Sequence, residues 1–361
     1  MPAVDPPPTL SFVVIAYNAA GLIRSTLDHL LVAVERADWH GLEVVVVDDG
    51  STDDTVAIVE EIAATTETVI RVHRQPNQGR LAASRAGTEL AHGTLVSFIG
   101  ERVLMHPDSL RNLRSLLVEH PEARVWNCHI EIPRERNPQA QFWYVLTFLG
   151  WRRYLARPRL VSFGQDDFDY YPKGTGGFVC PRELLLEAYG QLVSLYDDEK
   201  SASDDTTLIR WIAARERIWM APDYAADYLS RSGFRDFARH SFHRGTFILD
   251  SYLHPGTRLF APLIAYFVLS PLALLAVLKK PRLLLAAPAA WLAAALGFRR
   301  MGVSSRDVRG FSLLAPVFAV VFSAGMWRGL WGLARAKVSV SLAARARGHH
   351  SDRPSGREPG L

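Results

Sequence analysis

The chain has 361 residues, of which 48% are hydrophobic and 22% are charged. This length accommodates a full catalytic domain plus an appendage. The formal net charge of +4 does not indicate a nucleic-acid partner, because much of the basic excess lies beside apolar runs and in the C-terminal tail, where anionic lipid is the simpler partner. The two cysteines, Cys128 and Cys180, have no metal-ligand spacing and do not indicate a disulfide framework, so we expect a reducing compartment.

Strands and helices alternate through the first hundred residues. The predicted strands are the short apolar, β-branched runs at 10–16, 43–47, 69–73 and 94–99. The predicted helices are at 20–34, 52–64 and 81–91. This alternation implies right-handed crossovers and a mostly parallel sheet, whose ligands bind outside the carboxyl ends of the strands. Tyr17-Asn18, Asp48-Asp49 and Gly100-Glu101-Arg102 follow three of these strands, so we expect them to converge.

The chain becomes markedly apolar after about residue 250. Three uncharged runs occupy residues 259–278, 283–298 and 311–327, with Lys and Arg on their flanks. The first is long enough to cross a bilayer, and a buried soluble helix pair is the alternative. Because basic residues flank every run, the positive-inside rule leaves the topology open. Two spans plus an interfacial helix would put the C-terminal tail in the cytoplasm, and three spans would put it outside.

Several motifs in this order resemble the family 2 glycosyltransferases with the GT-A fold. They are Phe-Val-Val-Ile-Ala-Tyr-Asn at 12–18, Val-Val-Val-Val-Asp-Asp-Gly-Ser-Thr-Asp-Asp-Thr at 44–55, and the stretches at 77–87, 91–99 and 107–110. The resemblance covers most of residues 10–245. It implies an α/β GT-A catalytic domain with a Rossmann-like, mostly parallel sheet, followed here by C-terminal transmembrane helices.

The resemblance also implies a nucleotide-sugar donor, most commonly linked to uridine. Asp49 matches the family's carboxylate that accepts a hydrogen bond from the base, and Tyr17 would lie alongside the base or ribose. Arg80 lies where the family often places a cation near the diphosphate. Arg85 matches a frequent arginine of the following helix, with a solvated helix face as the alternative. The residues assigned to donor binding are Ala16, Tyr17, Asn18, Asp48, Asp49, Arg80, Arg85, Gly100 and Glu101.

The main departure from the family follows the fourth strand. Family members usually carry Asp-x-Asp there and bind Mg²⁺ or Mn²⁺ across the donor diphosphate, whereas this chain has Gly100-Glu101-Arg102. Hard divalent cations need oxygen ligands, and Glu101 alone would hold one poorly. Three explanations stay open: Arg102 supplies the positive charge in place of a metal, the site has lost activity, or Glu101 and further groups hold a metal. No cofactor is therefore assigned.

A pair of acids supplies the candidate catalytic base. Asp204 and Asp205 match the family's acidic pair at the start of a late helix, where the second acid deprotonates the acceptor hydroxyl. The resemblance thus assigns catalysis to Asp205, with Asp204 beside it. Arg102 is the third candidate catalytic residue, as a source of positive charge at the diphosphate. Direct displacement with this base would invert the anomeric configuration. A helix N-terminus stabilised by acidic residues is the alternative.

The resulting expectation is an inverting glycosyltransferase at the plasma membrane. The processive Gln-x-x-Arg-Trp motif is missing from the comparable stretch at 239–245, so we expect transfer of a single sugar to a lipid-linked or glycan acceptor in envelope or exopolysaccharide synthesis. The chain would be multi-pass, in contact with membrane lipid, with the catalytic domain in the cytoplasm because residues 1–8 lack signal-peptide features. A catalytically inactive GT-A-fold binding or scaffold protein at the membrane is the alternative.

The sequence also predicts domain boundaries. We expect a disordered N-terminus at 1–8, the GT-A domain at 9–245, an interfacial linker at 246–258, a membrane region of two or three helices at 259–335, and a basic, disordered tail at 336–361.

Overall fold

A computed structural model describes the backbone of residues 8–191 and 204–348 and the side chains of residues 8–191 and 206–335. One half of its large sheet is a set of four parallel strands, β1 (Leu10–Ala16), β2 (Leu42–Asp48), β3 (Ile70–Arg74) and β4 (Leu95–Gly100). The helices between them are α1 (Ile23–Arg36), α2 (Thr55–Ala63) and α3 (Arg80–Leu90). The predicted alternation is confirmed, with element ends displaced by at most three residues.

The remaining strands extend this sheet and add a small second one. In chain order, the further elements are β5 (Val103–Met105), α4 (Ser109–Glu119), β6 (Val125–Trp126), β7 (His129–Glu131), α5 (Pro138–Gly150), α6 (Arg152–Leu155), β8 (Val161–Phe163), β9 (Phe178–Pro181), α7 (Arg182–Gln191), α8 (Asp204–Ala213), β10 (Ile218–Met220) and β11 (Ala225–Tyr228). The large sheet has the order β3-β2-β1-β4-β9-β6-β10-β8, and the small sheet has the order β5-β11-β7. This mixed, mostly parallel sheet confirms the predicted fold class.

Hydrophobic residues cover both faces of the large sheet. Successive side chains of a strand point to opposite faces, so β1 sends Phe12 and Val14 to one side and Val13 and Ile15 to the other. Helices α1, α2 and α4 cover the first side, whereas α3, α7 and α8 cover the second. Burial on both faces is typical of parallel strands joined by helices and explains why β1 is apolar except at Ser11.

Four further helices follow the sheet domain. They are α9 (Phe234–Tyr252), α10 (Phe260–Lys279), α11 (Ala287–Arg300), which continues a 3₁₀ turn at Pro281–Ala286, and α12 (Ser305–Gly348). Within the part of the chain that the structure describes, three segments are long and apolar enough to cross a membrane: Phe260–Lys279, Pro281–Arg300 and Ser305–Arg335.

The helix ends differ from the predicted domain boundaries in two places. Helix α9 runs without a break across the expected boundary between residues 245 and 246. Helix α12 continues beyond residue 335, the expected end of the membrane region, to Gly348. In α9 the residue at that boundary, Gly245, is part of a tight helix–helix contact, so the chain stays helical there. Residues 1–7 and 349–361 lie outside the described part of the chain.

Candidate active site at the carboxyl edge of the sheet

Three strands of the sheet end side by side. Ala16 of β1 lies opposite Asp48 of β2, and Ile15 lies opposite Gly100 of β4. Neighbouring strands are about 4.8 Å apart, so the loops that follow β1, β2 and β4 share one edge. The predicted convergence of these strand ends is therefore present in the structure.

The loops after β1 and β2 are bound to each other. Asn18 Oδ1 accepts a hydrogen bond from the Thr52 backbone N–H at 2.8 Å, and the Asn18 N–H donates to Ser51 Oγ at 2.9 Å. Asp48 is buried, and its Oδ1 accepts from the Ser51 N–H at 3.1 Å. Asn18 and Asp48 thus shape the loops, whereas the Tyr17 side chain is 52% exposed at the same edge.

Asp49 holds the loop that leads into α3. Its Oδ1 accepts from Gln75 Nε2 at 2.8 Å and from the Gln78 N–H at 2.9 Å, and its Oδ2 accepts from the Gly79 N–H at 2.9 Å. Gly79 has φ of +94°, a conformation that a side chain would disfavour. One buried carboxylate therefore fixes the approach to Arg80, a role that the sequence pattern did not predict.

The two candidate arginines of α3 have different surroundings. Arg80 Nη2 donates to Thr175 Oγ1 at 2.7 Å, and the loop of Thr175 is joined to β4 by the Gly177 N–H bond to the Phe98 carbonyl at 2.7 Å. Arg80 therefore lies at the edge where the strands end. Arg85 instead pairs with Glu89 at 3.0 Å on the exposed face of the helix. This pairing favours the solvated-face alternative for Arg85.

The segment after β4 is tied to the surrounding elements. The Glu101 carbonyl accepts from Thr26 Oγ1 at 2.8 Å, and Arg102 Nη1 donates to the Leu229 carbonyl at 3.3 Å. Arg102 Nε lies 3.6 Å from Glu101 Oε1, and within the described residues it is buried without a hydrogen-bond acceptor. The Arg102 guanidinium is thus held next to the strand ends, with its Nε buried and 22% of its side chain exposed.

The same segment can be tested as a metal site. Glu101 is its only carboxylate, and Arg102 lies against it. Across the described residues, no group of three or more His, Cys, Asp or Glu side chains is placed to hold a metal ion. A hard divalent cation takes several oxygen ligands, so the described residues of this site do not fit one.

Helix α9 adds a basic and aromatic wall beside Arg102. Arg244 Nε donates to His240 Nε2 at 3.0 Å, and the Arg244 guanidinium lies 4.8 Å from the centre of the Trp143 ring. Burial lowers the pKa of His240 to about 3, with further contributions from the charges of Arg244, Arg231, His243 and Arg102. The imidazole is therefore neutral and accepts the Arg244 bond. The four-residue spacing of His240 and Arg244 is a helical signal for this pair.

Helix α8 begins at the candidate acidic pair. The side chains of Asp204 and Asp205 lie outside the described residues, so their direction is not assigned. The helix itself is anchored by Ile209 and Ile212, which are buried in the core, and by Arg210, whose Nη2 donates to Asp169 Oδ1 at 3.0 Å.

A separate cavity lies at the opposite edge of the sheet. It has a volume of 740 Å³ and is lined by residues at the amino end of β4 and the end of β9, among them Thr94, Arg124 and Arg182. None of the predicted site residues lines it. Ligands of open α/β sheets bind at the carboxyl edge, so this cavity is the less suitable site.

Known proteins resemble the first part of the chain. Residues 11–174 match the family model described as "Glycosyl transferase family 2". A PGL/p-HBAD biosynthesis glycosyltransferase of Mycobacterium tuberculosis is 31% identical over 114 residues, which are 31% of this chain and 43% of that protein. The succinoglycan biosynthesis protein ExoO of Rhizobium meliloti is 35% identical over 112 residues, 31% of this chain and 30% of that protein. The matches thus span less than half the length of these relatives.

A solved structure shares the fold over most of the chain. The mannosyltransferase PcManGT from Pyrobaculum calidifontis, in complex with GDP-Man and Mn²⁺, has a TM-score of 0.59 and 20% identity, covering 92% of this chain and 89% of that one. At this identity the likeness supports the fold alone. Together with the fold likeness, the family match identifies residues 11–174 as part of a family 2 glycosyltransferase domain with the GT-A fold.

Proposed function

We propose that the chain is an inverting, non-processive glycosyltransferase that moves one sugar from a nucleotide-sugar donor, UDP-linked, to a membrane or lipid-linked acceptor in envelope or exopolysaccharide synthesis. The observation that carries this proposal is the meeting of the β1, β2 and β4 ends with Arg80 and Arg102 at one edge. The name of the Rhizobium relative supports the exopolysaccharide assignment.

The donor base would bind near Tyr17 and Asp49. Each carboxylate oxygen has two acceptor sites, and Asp49 Oδ2 uses one of them for the Gly79 N–H. The other would accept the uracil N–H, while the exposed Tyr17 ring would flank the base or ribose. Asp49 would then both bind the base and fix the loop that leads to Arg80.

Arg102 would stabilise the negative charge that develops on the leaving diphosphate. Its side chain is 22% exposed beside the strand ends, and Arg80 is a further cation at this edge. Preorganised donors aimed at developing charge give large rate effects. The residues themselves would thus provide the positive charge at the diphosphate.

Asp205 would act as the general base, with Asp204 beside it. The acceptor oxygen attacks the anomeric carbon, its proton passes to the Asp205 carboxylate, and the bond from the anomeric carbon to the diphosphate oxygen breaks. A single displacement inverts the anomeric configuration. Burial or the neighbouring Asp204 charge would raise the Asp205 pKa toward the value a base needs.

Membrane attachment would confine the enzyme and a lipid-linked acceptor to one surface. Three apolar segments at Phe260–Lys279, Pro281–Arg300 and Ser305–Arg335 support it. The catalytic domain would lie on the cytoplasmic side, where nucleotide sugars are made, and the predicted domain boundaries are part of this proposal.

The test is a transfer assay with the full chain in detergent. UDP-glucose, UDP-galactose and UDP-N-acetylglucosamine are tried as donors, and bacterial membrane lipids supply the acceptor. We expect transfer to survive EDTA. Arg102→Ala should lower turnover about 10²–10³-fold, as loss of one preorganised donor does, and Arg102→Lys should lower it less. Asp205→Asn should abolish transfer while UDP binding persists. Arg36→Ala, which removes an exposed surface cation, is the matched control.

Each contrary outcome has a separate meaning. Loss of transfer in EDTA with rescue by Mn²⁺ would contradict the proposed role of Arg102. The glycosyltransferase activity itself would still stand. Transfer by Asp205→Asn would contradict the base assignment. UDP binding without transfer of any sugar by the wild-type chain would favour the inactive binding protein.

A further inference from the structure

We propose that α12 lies flat on the membrane surface as the floor of the catalytic domain, and that only the hairpin of α10 and Pro281–Arg300 enters the bilayer. The inference rests on the proposed membrane attachment. It chooses between the two topologies that the sequence leaves open, and it assigns a lipid-binding face to α12.

The length and packing of α12 distinguish it from the other two apolar segments. Its 44 residues extend about 66 Å, roughly twice the hydrocarbon core of a bilayer. In its most apolar window 28% of residues are buried within the protein, compared with 6% in Phe260–Lys279 and none in Pro281–Arg300. Helix α12 is therefore packed against the domain more extensively than the other two segments are.

Two helices of the domain cover α12 along its length. Near its start, Val308, Phe311 and Phe318 pack on α5 around Phe142 and Phe148. This contact places the first turns of α12 directly beneath α5.

Further along, α12 packs against α9 at backbone distance. A Cβ atom on Gly245 of α9 would overlap the Phe322 carbonyl oxygen, and one on Gly325 would overlap the Phe242 carbonyl oxygen. Met326 and Leu333 then form a buried cluster with Leu249 near the end of α9. Contacts at this distance fix the two helices as one unit.

The polar residues of α9 argue against a membrane crossing by α12. Arg239 and Arg244 lie on the helix that packs against α12, and packed helix axes are only about 8–10 Å apart. If α12 crossed the bilayer at this contact, α9 would be drawn into the hydrocarbon with it. Each arginine at the bilayer centre costs about 2.5–3.5 kcal/mol or more.

The opposite side of α12 has the features of a lipid-facing surface. Four large apolar residues lie on one helical face, because their spacings of seven, seven and four residues return to nearly the same angle. They are Leu313, Val320, Trp327 and Trp331, and their exposed fractions are 66%, 72%, 41% and 61%. Tryptophan is typical of membrane–water interfaces, and Arg306, Arg309 and Arg335 flank the face.

The hairpin has the features of a bilayer insertion. Phe260–Lys279 and Pro281–Arg300 have 20 residues each, about 30 Å, which matches the hydrocarbon thickness. Most of their large apolar side chains are exposed, as at Leu272, Leu278 and Leu285. The first residues of α10 and the last of α11 both join the domain, through Leu263 and Phe298 respectively.

This arrangement places the candidate active site one helix layer above the lipid. Arg244 and His240 lie on α9, and α9 rests on α12. The basic wall would then be about 10 Å from the lipid-facing surface, within reach of a phosphate at the headgroup level.

The test is cysteine labelling of the full chain in cells with a membrane-impermeant maleimide. Single cysteines replace Glu61 on the domain surface, Lys280 in the hairpin turn, or Ser351 in the tail. The unsubstituted chain, whose two cysteines are buried, is the control. We expect E61C and S351C to be labelled from the same side and K280C from the opposite side. E61C and S351C on opposite sides, or K280C on the same side as E61C, would overturn the inference.

A depth measurement gives an independent readout in vesicles. A fluorophore on V320C, the midpoint of a hypothetical span at 305–335, is compared with one on L272C in α10. We expect shallow lipid quenchers to act best on V320C and deep quenchers to act best on L272C. Deep quenching at both sites would overturn the inference. Protein found only in the soluble fraction would instead contradict the membrane attachment itself, and E61C reports separately whether the domain is cytoplasmic.

Discussion

His240, which accepts a hydrogen bond from Arg244, has a strongly lowered pKa. The imidazole is enclosed by α9 and the Trp143 ring, with Arg244, Arg231, His243 and Arg102 nearby. Burial, followed by the charges of these neighbours, makes protonation of His240 unfavourable, so the neutral ring accepts the Arg244 hydrogen bond. It thereby helps to fix the Arg244 guanidinium over the Trp143 ring.

The pKa of His240 predicts a pH dependence of stability. The folded state keeps the ring neutral down to about pH 3, whereas the unfolded chain binds a proton below about pH 6.5. Stability should therefore fall as the pH drops below about 6.5, by at most about 1.4 kcal/mol per pH unit from this residue. Melting temperatures at pH 7.5 and 5.0 for wild type and His240→Gln check this. A smaller fall in the variant is expected, and an identical fall would contradict the assignment.

The positions of the site residues were predictable, but their partners were not. Tyr17, Asp49 and Arg102 follow apolar strands, and strand ends are visible as the points where hydrophobic runs stop. The Asp49 carboxylate accepts hydrogen bonds from Gln75, Gln78 and Gly79, which lie 26 to 30 residues further along the chain. No local pattern encodes such contacts. The Arg85 pairing with Glu89 is local, and its four-residue spacing predicts it.

The contact between α9 and α12 is the main feature at the scale of elements. Gly245 and Gly325 allow the two backbones to touch, and Thr246 Oγ1 donates to the Gly325 carbonyl at 3.2 Å. The apolar run of α12 is visible in the sequence, but its packing on α5 and α9 is not, because hydropathy alone cannot distinguish lipid from protein neighbours. For the same reason the sequence does not show that α9 continues past residue 245, where it packs on α12.

Substitution of Gly325 should separate these helices. Gly325→Leu places a branched side chain against the Phe242 carbonyl, and overpacking of this kind costs about 1–3 kcal/mol. We expect a lower melting temperature and weaker transfer, because α9 carries Arg244. Gly297→Leu in α11 is the matched control, since no atom lies within 4 Å of a Cβ there. Equal effects of the two substitutions would contradict the role of the contact.

At the scale of the whole molecule, the sheet separates two candidate sites. The carboxyl edge carries Tyr17, Asp49, Arg80 and Arg102, while the amino edge carries the 740 Å³ cavity lined by Arg124 and Arg182. Helix α9 lies on the side of Arg102 and packs against α12, the proposed membrane-facing helix. A donor at the carboxyl edge would thus be close to the membrane face.

Photo-crosslinking with 5-azido-UDP-glucose decides most directly between these two edges. The full chain is irradiated with the probe, with excess UDP as competitor, and the labelled peptide is identified by mass spectrometry. We predict UDP-sensitive labelling in the peptides that contain Tyr17 or Asp49. Labelling at Thr94, Arg124 or Arg182, or labelling that UDP does not suppress, would contradict a nucleotide-sugar site at the carboxyl edge.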